Sequence, residues 1–218
     1  MPLNVPDPNV KVEGSRGEIL KVAAELFATH GYSKVSIRDI ARTASVSVST
    51  VMYHAGTKEN LLEHCLDATF SADKGLIELI EYMGNIKVTT SEEFFALYDR
   101  FIELSIAQVA KYPMTCRLWW RLLLDHETLF HSLEEKFHRQ LFISCNRFLK
   151  DAQKAGLIRD DSVDLSFFLA SLDATIDGYF VGGHIKADGT RTSPGGVEGL
   201  QEFVRWLKQF GRLVLAKS

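Results

Sequence analysis

The stretch SIRDIARTASVSVSTVMYHAGTKENL, residues 36–61, decides the fold. Ser36 precedes Ile37, Ile40 and Ala41, and Asp39 follows three residues later. A serine hydroxyl caps the first turn of a helix, and a carboxylate suits that turn's positive end. This short helix runs to about Thr43, and Ala44-Ser45-Val46 supplies a tight turn. Ser47 opens another helix with Val51 on its inner side, and Ala55-Gly56 closes it. Upstream, Ile19, Ala23, Leu26 and Phe27 keep a helical period from Ser15 to His30, and Gly31 stands where a helix stops. Three helices, the last two short and joined by a tight turn, read as a helix-turn-helix. Its expected core is Ile19, Ala23, Phe27, Ile40, Ala41, Val46 and Val51.

Outward from this head the chain stays helical in pattern. Apolar stripes run through residues 58–83 and 92–111. Pro113 opens a short aromatic segment ending near Leu124, and one long helix is expected from His126 to Ala155, stopped by Gly156. Two more helices, residues 162–181 and 197–215, flank a Gly/Thr/Pro-rich loop from Gly182 to Gly196. No stretch alternates at period two, so no sheet is expected. The fold class read here is all-α: a three-helix head and a larger helical bundle. Residues 1–12 form a Pro-rich, loose arm, 13–56 the head and 57–218 the body, joined at Gly56–Asn60.

Charge and composition narrow the function. The net charge is −3. Residues 11–60 carry +2 and residues 61–218 carry −4. A broadly basic protein that coats DNA without selection is therefore excluded, and any DNA contact must come from a few placed groups. Cys65, Cys116 and Cys145 are odd in number, far apart and in no CxxC pair, which suggests neither a zinc site nor a disulfide framework. The N-terminus has no apolar core of a signal peptide, and no apolar run approaches membrane-span length. A cytoplasmic protein without membrane association, metal or cofactor is expected. An enzyme or small-molecule carrier finds little support. The chain has no HExxH, no nucleophile elbow, no GxGxxG and no ExxH pair set.

The quoted stretch, with Ile19-Leu20, Ala23, Leu26-Phe27 and Gly31-Tyr32 before it, resembles the signature of the TetR/AcrR family of bacterial helix-turn-helix transcriptional regulators. The resemblance covers only the head. It implies a dimeric repressor that binds a palindromic double-stranded operator and is released by a small hydrophobic effector. An activator, or a regulator that senses no ligand, fits the same head. Four positions depart from the signature. Ser45 stands at the usual turn glycine, Ser49 at a second small glycine, Met52 at a frequent tyrosine and Ala55 at a frequent phenylalanine. Ser45 strains the turn if its backbone must be left-handed.

Candidate DNA contacts follow from residue chemistry. Ser47 caps the second helix of the motif, whose free N–H groups can face a phosphate. Val48 offers methyls to a thymine methyl, and Thr50 can bond a base edge or a phosphate. Arg38 can reach the backbone or a base edge. Ser36 serves as a cap, a phosphate contact or both. Lys58 is a candidate phosphate ligand, or else a solvated partner of Glu59. The resemblance puts Tyr53 and His54 on phosphates. Tyr53 also reads as partly core, and His54 as a closing residue of the helix.

For the body the resemblance implies an effector pocket. Its candidate lining is Tyr98, Phe101, Trp119, Phe142 and Phe168, each of which also reads as ordinary core. Asp173 and Asp177 share one helical face with no histidine nearby, a pattern that suits a solvent edge or a subunit contact better than a metal. The last helix carries a stripe broad for a monomer, which reads as a subunit interface or as a terminal helix packed on its own body. Phe203, Leu207 and Phe210 are its expected dimerisation residues.

Overall fold

A computed structural model describes residues 15–70, 74–160, 163–192 and 199–217. The expected arm, residues 1–12, lies outside them. The helices are α1 (Ser15–His30), α2 (Ile37–Thr43), α3 (Val48–Ala55), α4 (Lys58–Phe70), α5 (Lys74–Asn85), α6 (Ser91–Lys111), α7 (Met114–Asp125), α8 (Glu127–Phe137), α9 (Arg139–Lys154), α10 (Leu165–Gly182) and α11 (Leu200–Leu215). The chain is all-α. Among the described residues the one β feature is an isolated antiparallel bridge between Ile185 and Arg191. It closes a hairpin in the loop after α10, where Lys186 N–H donates to Thr190 O at 2.7 Å.

The described chain divides into two compact units. One holds residues 15–70 and 111–137, the other residues 74–110, 138–160, 163–192 and 199–217. This grouping differs from a cut at residue 56. It gives the three-helix head three more helices, α4, α7 and α8.

In the first unit, the inner face of α1 (Ile19, Val22, Ala23, Phe27) shares one core with Leu61, Leu62 and Leu66 of α4 and with Leu118, Trp119 and Leu122 of α7. Burial of such side chains contributes about 1.5–3 kcal/mol each. Polar contacts tie α7 to the head as well. The Arg121 guanidinium donates to Thr29 O at 3.0 Å. The His126 ring meets the Ser33 hydroxyl and lies edge-on to Tyr32, centroids 5.4 Å apart.

One expected element is corrected. The helix drawn from His126 to Ala155 is two helices, α8 and α9, broken at His138. No glycine or proline marks the break. The apolar stripe runs on through Phe130, Leu133 and Phe137 to Cys145, Phe148 and Ala152, but its two halves serve different units. The physical reason is tertiary, because each half packs on its own core.

The second unit contains α5, α6, α9, α10 and α11. Phe94 of α6 stacks on Phe148 of α9 at 5.1 Å. Asp164 caps α10 by accepting from Ser166 N–H and Phe167 N–H. Those hydrogen bonds, led by the Ser166 hydroxyl, hold its carboxyl below the usual carboxylate range. The seating of α11 is the most specific packing in this unit. Tyr98 lies against the backbone of α11 at Gly211, and its hydroxyl donates to Leu207 O at 2.9 Å. Beside it, Arg212 makes a forked pair with Asp99, and Lys208 pairs with Glu103.

Candidate nucleic-acid interface

The helix-turn-helix is built from local hydrogen bonds. Ser36 is the N-cap of α2, and the reciprocal box with Asp39 is complete. Asp39 N–H donates to Ser36 Oγ at 3.2 Å, and Ser36 N–H donates to Asp39 Oδ2 at 3.0 Å. The Ser36 hydroxyl, then its N–H, holds the Asp39 carboxyl below its ordinary range. Such caps contribute about 0.5–2 kcal/mol.

The turn ends α2 in a Schellman arrangement. Ser45 N–H donates to Arg42 O at 3.2 Å, and Val46 N–H donates to Ala41 O at 2.9 Å. This places Ser45 at φ 55°, the one described non-glycine residue with positive φ. The position favours glycine because a Cβ crowds the following carbonyl, at a cost of about 1–2 kcal/mol. Glycine gives back about 0.5–1 kcal/mol through its freer unfolded chain. The expected result for Ser45→Gly is a gain in stability of about 0.5–1 kcal/mol. An upward shift of the urea midpoint at unchanged slope would show it, and a downward shift would refute the strain.

α3 presents a mixed outward face. Ser47 caps it, accepting from Thr50 N–H at 3.0 Å, and the Ser47 and Thr50 hydroxyls lie 2.8 Å apart. Val51 and Ala55 are buried and fix the helix to the head. Bordering them, Val48 is 42% exposed and Met52 44%, and Tyr53, on the far side of the helix, is 85% exposed. Ser49 is exposed beside them. The i, i+4 pairs Val48–Met52 and Ser49–Tyr53 run along this face. Ser49 and Met52 were not among the sequence-derived candidates. The signal that finds them is their spacing from Val48 and Tyr53.

The other candidates take varied positions. Arg38 is exposed on α2. Thr50 is half-buried and engaged with the cap. His54 is half-buried, and its Nε2 lies 3.0 Å from Ser15 Oγ. Its ring sits edge-on to that of Tyr53, centroids 5.1 Å apart. Lys58 opens α4 with its ammonium 4.1 Å from the centre of the Tyr32 ring. Partial burial lowers its pKa, opposed by the Glu59 carboxylate. Their hydroxyls, the Lys58 ammonium and free helix N–H groups are of the chemistry that binds phosphate.

The body candidates are split between the two units. Tyr98, Phe101 and Phe168 line one cavity with Met83, Cys145 and Phe148. Its volume is about 20 Å³, close to the room a single water needs. Trp119 does not line it. It belongs to the first unit, between Phe70 at 5.7 Å and Phe130 at 4.8 Å. Nor does Phe142, whose ring stacks on His138 at 6.2 Å. Burial pushes the Cys145 thiol beside the cavity up to about 12. On α11, Leu207 is fully buried, while Phe203 and Phe210 are half-buried. The outer edge of that stripe is Trp206, 47% exposed, and Leu213, 77% exposed. Phe203, Trp206 and Phe210 stack in a row, with centroids 6.4 and 5.3 Å apart. No described helix is long and apolar enough to cross a membrane.

Residues 19–65 match the family model of bacterial regulatory proteins, tetR family. The chain is 32% identical over 99 residues to the HTH-type transcriptional regulator QacR of Staphylococcus aureus, a match covering 45% of this chain and 49% of that protein. It thus spans about half the length of that curated relative. It is 26% identical over 155 residues to the HTH-type transcriptional repressor KstR2 of Rhodococcus jostii, covering 71% of this chain and 73% of that one. The solved structure of KstR2 of Mycobacterium tuberculosis shares the fold, with TM-score 0.66, 17% identity and coverage of 95% and 98% of the two chains. These relatives are transcriptional regulators.

Proposed function

We propose that this chain is a TetR/AcrR-type helix-turn-helix regulator, the family whose model residues 19–65 match, and that it is a dimeric repressor of a palindromic operator, released by a small apolar effector. The observation that carries the reading is the capped, outward-facing α3 with Val48, Ser49, Met52 and Tyr53 exposed together on a rigid head. A surface helix that buries only Val51 and Ala55 leaves one side free for the major groove. One recognition helix reads few base pairs. A two-fold pair spaced about one turn of duplex, roughly 34–36 Å, reads enough for selectivity. The repressor reading draws on the KstR2 relatives, which are transcriptional repressors.

The half-buried Phe203 and Phe210, with Trp206 and Leu213, supply the two-fold face on α11. An effector enters the second unit at Tyr98, Phe101 and Phe168 and favours a dimer whose heads are wrongly spaced. A ten-thousandfold preference for that state, about 5.5 kcal/mol, empties the competent one. Drug-sized ligands need roughly 300–1,000 Å³, far more than the present cavity. The unit must therefore open to bind one. The small cavity also favours a second reading, in which the same dimer answers to abundance or to a protein partner without a ligand.

The test is selection from a pool of random duplexes by the full-length protein. The expected enrichment is a palindrome of two half-sites, bound with a steep loss of affinity as salt rises. Tyr53→Ala with Lys58→Ala weakens binding to every selected duplex by a similar factor, as loss of phosphate contacts does. A pool that shows no enrichment overturns the DNA reading. Apolar compounds are then screened for release of the selected duplex. If none shifts affinity, the ligand-free reading stands in its place.

A further inference from the structure

The bases that α3 can recognise are limited by its side chains. α3 reads Val48-Ser-Thr-Val-Met-Tyr-His-Ala55 and contains no arginine, lysine, asparagine or glutamine. Guanine is read most strongly by arginine or lysine on O6 and N7, and adenine by asparagine or glutamine on N6 and N7. Neither bidentate contact is available from this helix. Its polar groups are also largely committed. The Thr50 hydroxyl pairs with Ser47, and His54 turns back to Ser15. Among the outward residues, Val48 and Met52 lie one turn apart and form a continuous apolar strip, with the Ser49 hydroxyl and the Tyr53 ring next to it. In the major groove the complementary apolar feature is the thymine C5-methyl group.

Resting on the DNA-binding reading above, we infer that Val48 and Met52 together read thymine methyl groups, so that the operator half-site is specified by its methyls and not by bidentate contacts to guanine or adenine. Met52 is the new specificity-determining residue. Its unbranched thioether side chain fills irregular gaps, which suits a strip of methyls whose spacing varies along the groove. Arg38 lies on α2 and not on this strip, so any base contact it makes is separate.

The probes are the duplex that wild-type protein selects from a random pool and the same duplex with every half-site thymine replaced by uracil. Uracil lacks only the methyl and keeps base pairing. The expected result is a loss of about threefold to fivefold in affinity for each contacted methyl, the effect of one buried methylene-sized group. Putting 5-methylcytosine–guanine pairs at those positions retains more affinity than cytosine–guanine pairs do. The Met52→Ala and Val48→Ala variants bind the thymine duplex more weakly and respond less to uracil. Met52→Leu keeps the response. Both positions are on the surface, and unchanged melting of the variants checks that the head stays folded. If wild-type protein binds thymine and uracil duplexes equally, or the selected half-sites lack thymine opposite α3, the methyl inference falls while DNA binding stands. If no duplex is selected at all, both fall.

Discussion

Trp206→Asp combined with Leu213→Asp is expected to give a folded monomer that loses operator affinity by about 10²–10⁴-fold, the factor gained when a second site is engaged through a linked partner. Both side chains lie on the outer edge of α11, 47% and 77% exposed, so the substitutions cost the isolated chain little. In a two-fold interface every residue occurs twice. Four carboxylates then enter an apolar contact without partners, and unpaired buried charge is among the most destabilising changes known. Sedimentation of the variant at micromolar concentration measures the monomer, and titration of the selected duplex measures the affinity. A variant that stays dimeric places the subunit contact elsewhere.

Leu207→Asp makes the contrast. Leu207 belongs to the same sequence stripe, yet it is fully buried, and its carbonyl accepts the Tyr98 hydroxyl. This substitution is expected to unfold the second unit, so it tests folding and not assembly.

Gly211→Ala is expected to destabilise the second unit by about 1–3 kcal/mol, the usual cost of overpacking. Within an exposed helix the same change stabilises by about 1 kcal/mol, because alanine is the better helix former. Here the sign reverses. A Cβ at Gly211 falls 2.2 Å from Tyr98 Cζ and 2.3 Å from its hydroxyl oxygen. The Tyr98 ring is a wall of the small cavity and is anchored to Leu207 O, so it cannot move aside without losing that hydrogen bond. Urea unfolding followed by circular dichroism measures the loss. A double variant, Gly211→Ala with Tyr98→Leu, should recover part of it by making room for the Cβ. A neutral or stabilising Gly211→Ala would show that the slot is slack.

The same pairing explains why the stripe on α11 could not be divided from sequence. Leu200, Phe203, Val204, Leu207, Phe210 and Leu213 all read as apolar on one broad face. The periodicity states that the face is covered, but not by what. Tyr98 in the Gly211 slot, with Asp99–Arg212 and Glu103–Lys208 beside it, turns Leu207 inward and Trp206 outward. Trp119 shows the same limit. Its aromatic neighbours suited a pocket wall, but α7 packs on α1 and makes Trp119 part of the head's core.

The sequence by itself determined the head in detail. Ser36 and Ser47 as caps, Gly31 and Gly56 as stops, and the strain at Ser45 were all legible, and α1 spans the residues its pattern marks. Each of those features is a contact between residues at most five apart, so the local chain contains both partners. Tertiary structure alone decided the break at His138, the recruitment of α4, α7 and α8 to the head's core, and which of the aromatic candidates line the cavity. There the partners are distant in sequence. An amphipathic stripe fixes that a face must leave water, and the hydrophobic effect that drives it is non-directional. Only close packing among side chains from separate helices selects which face meets which.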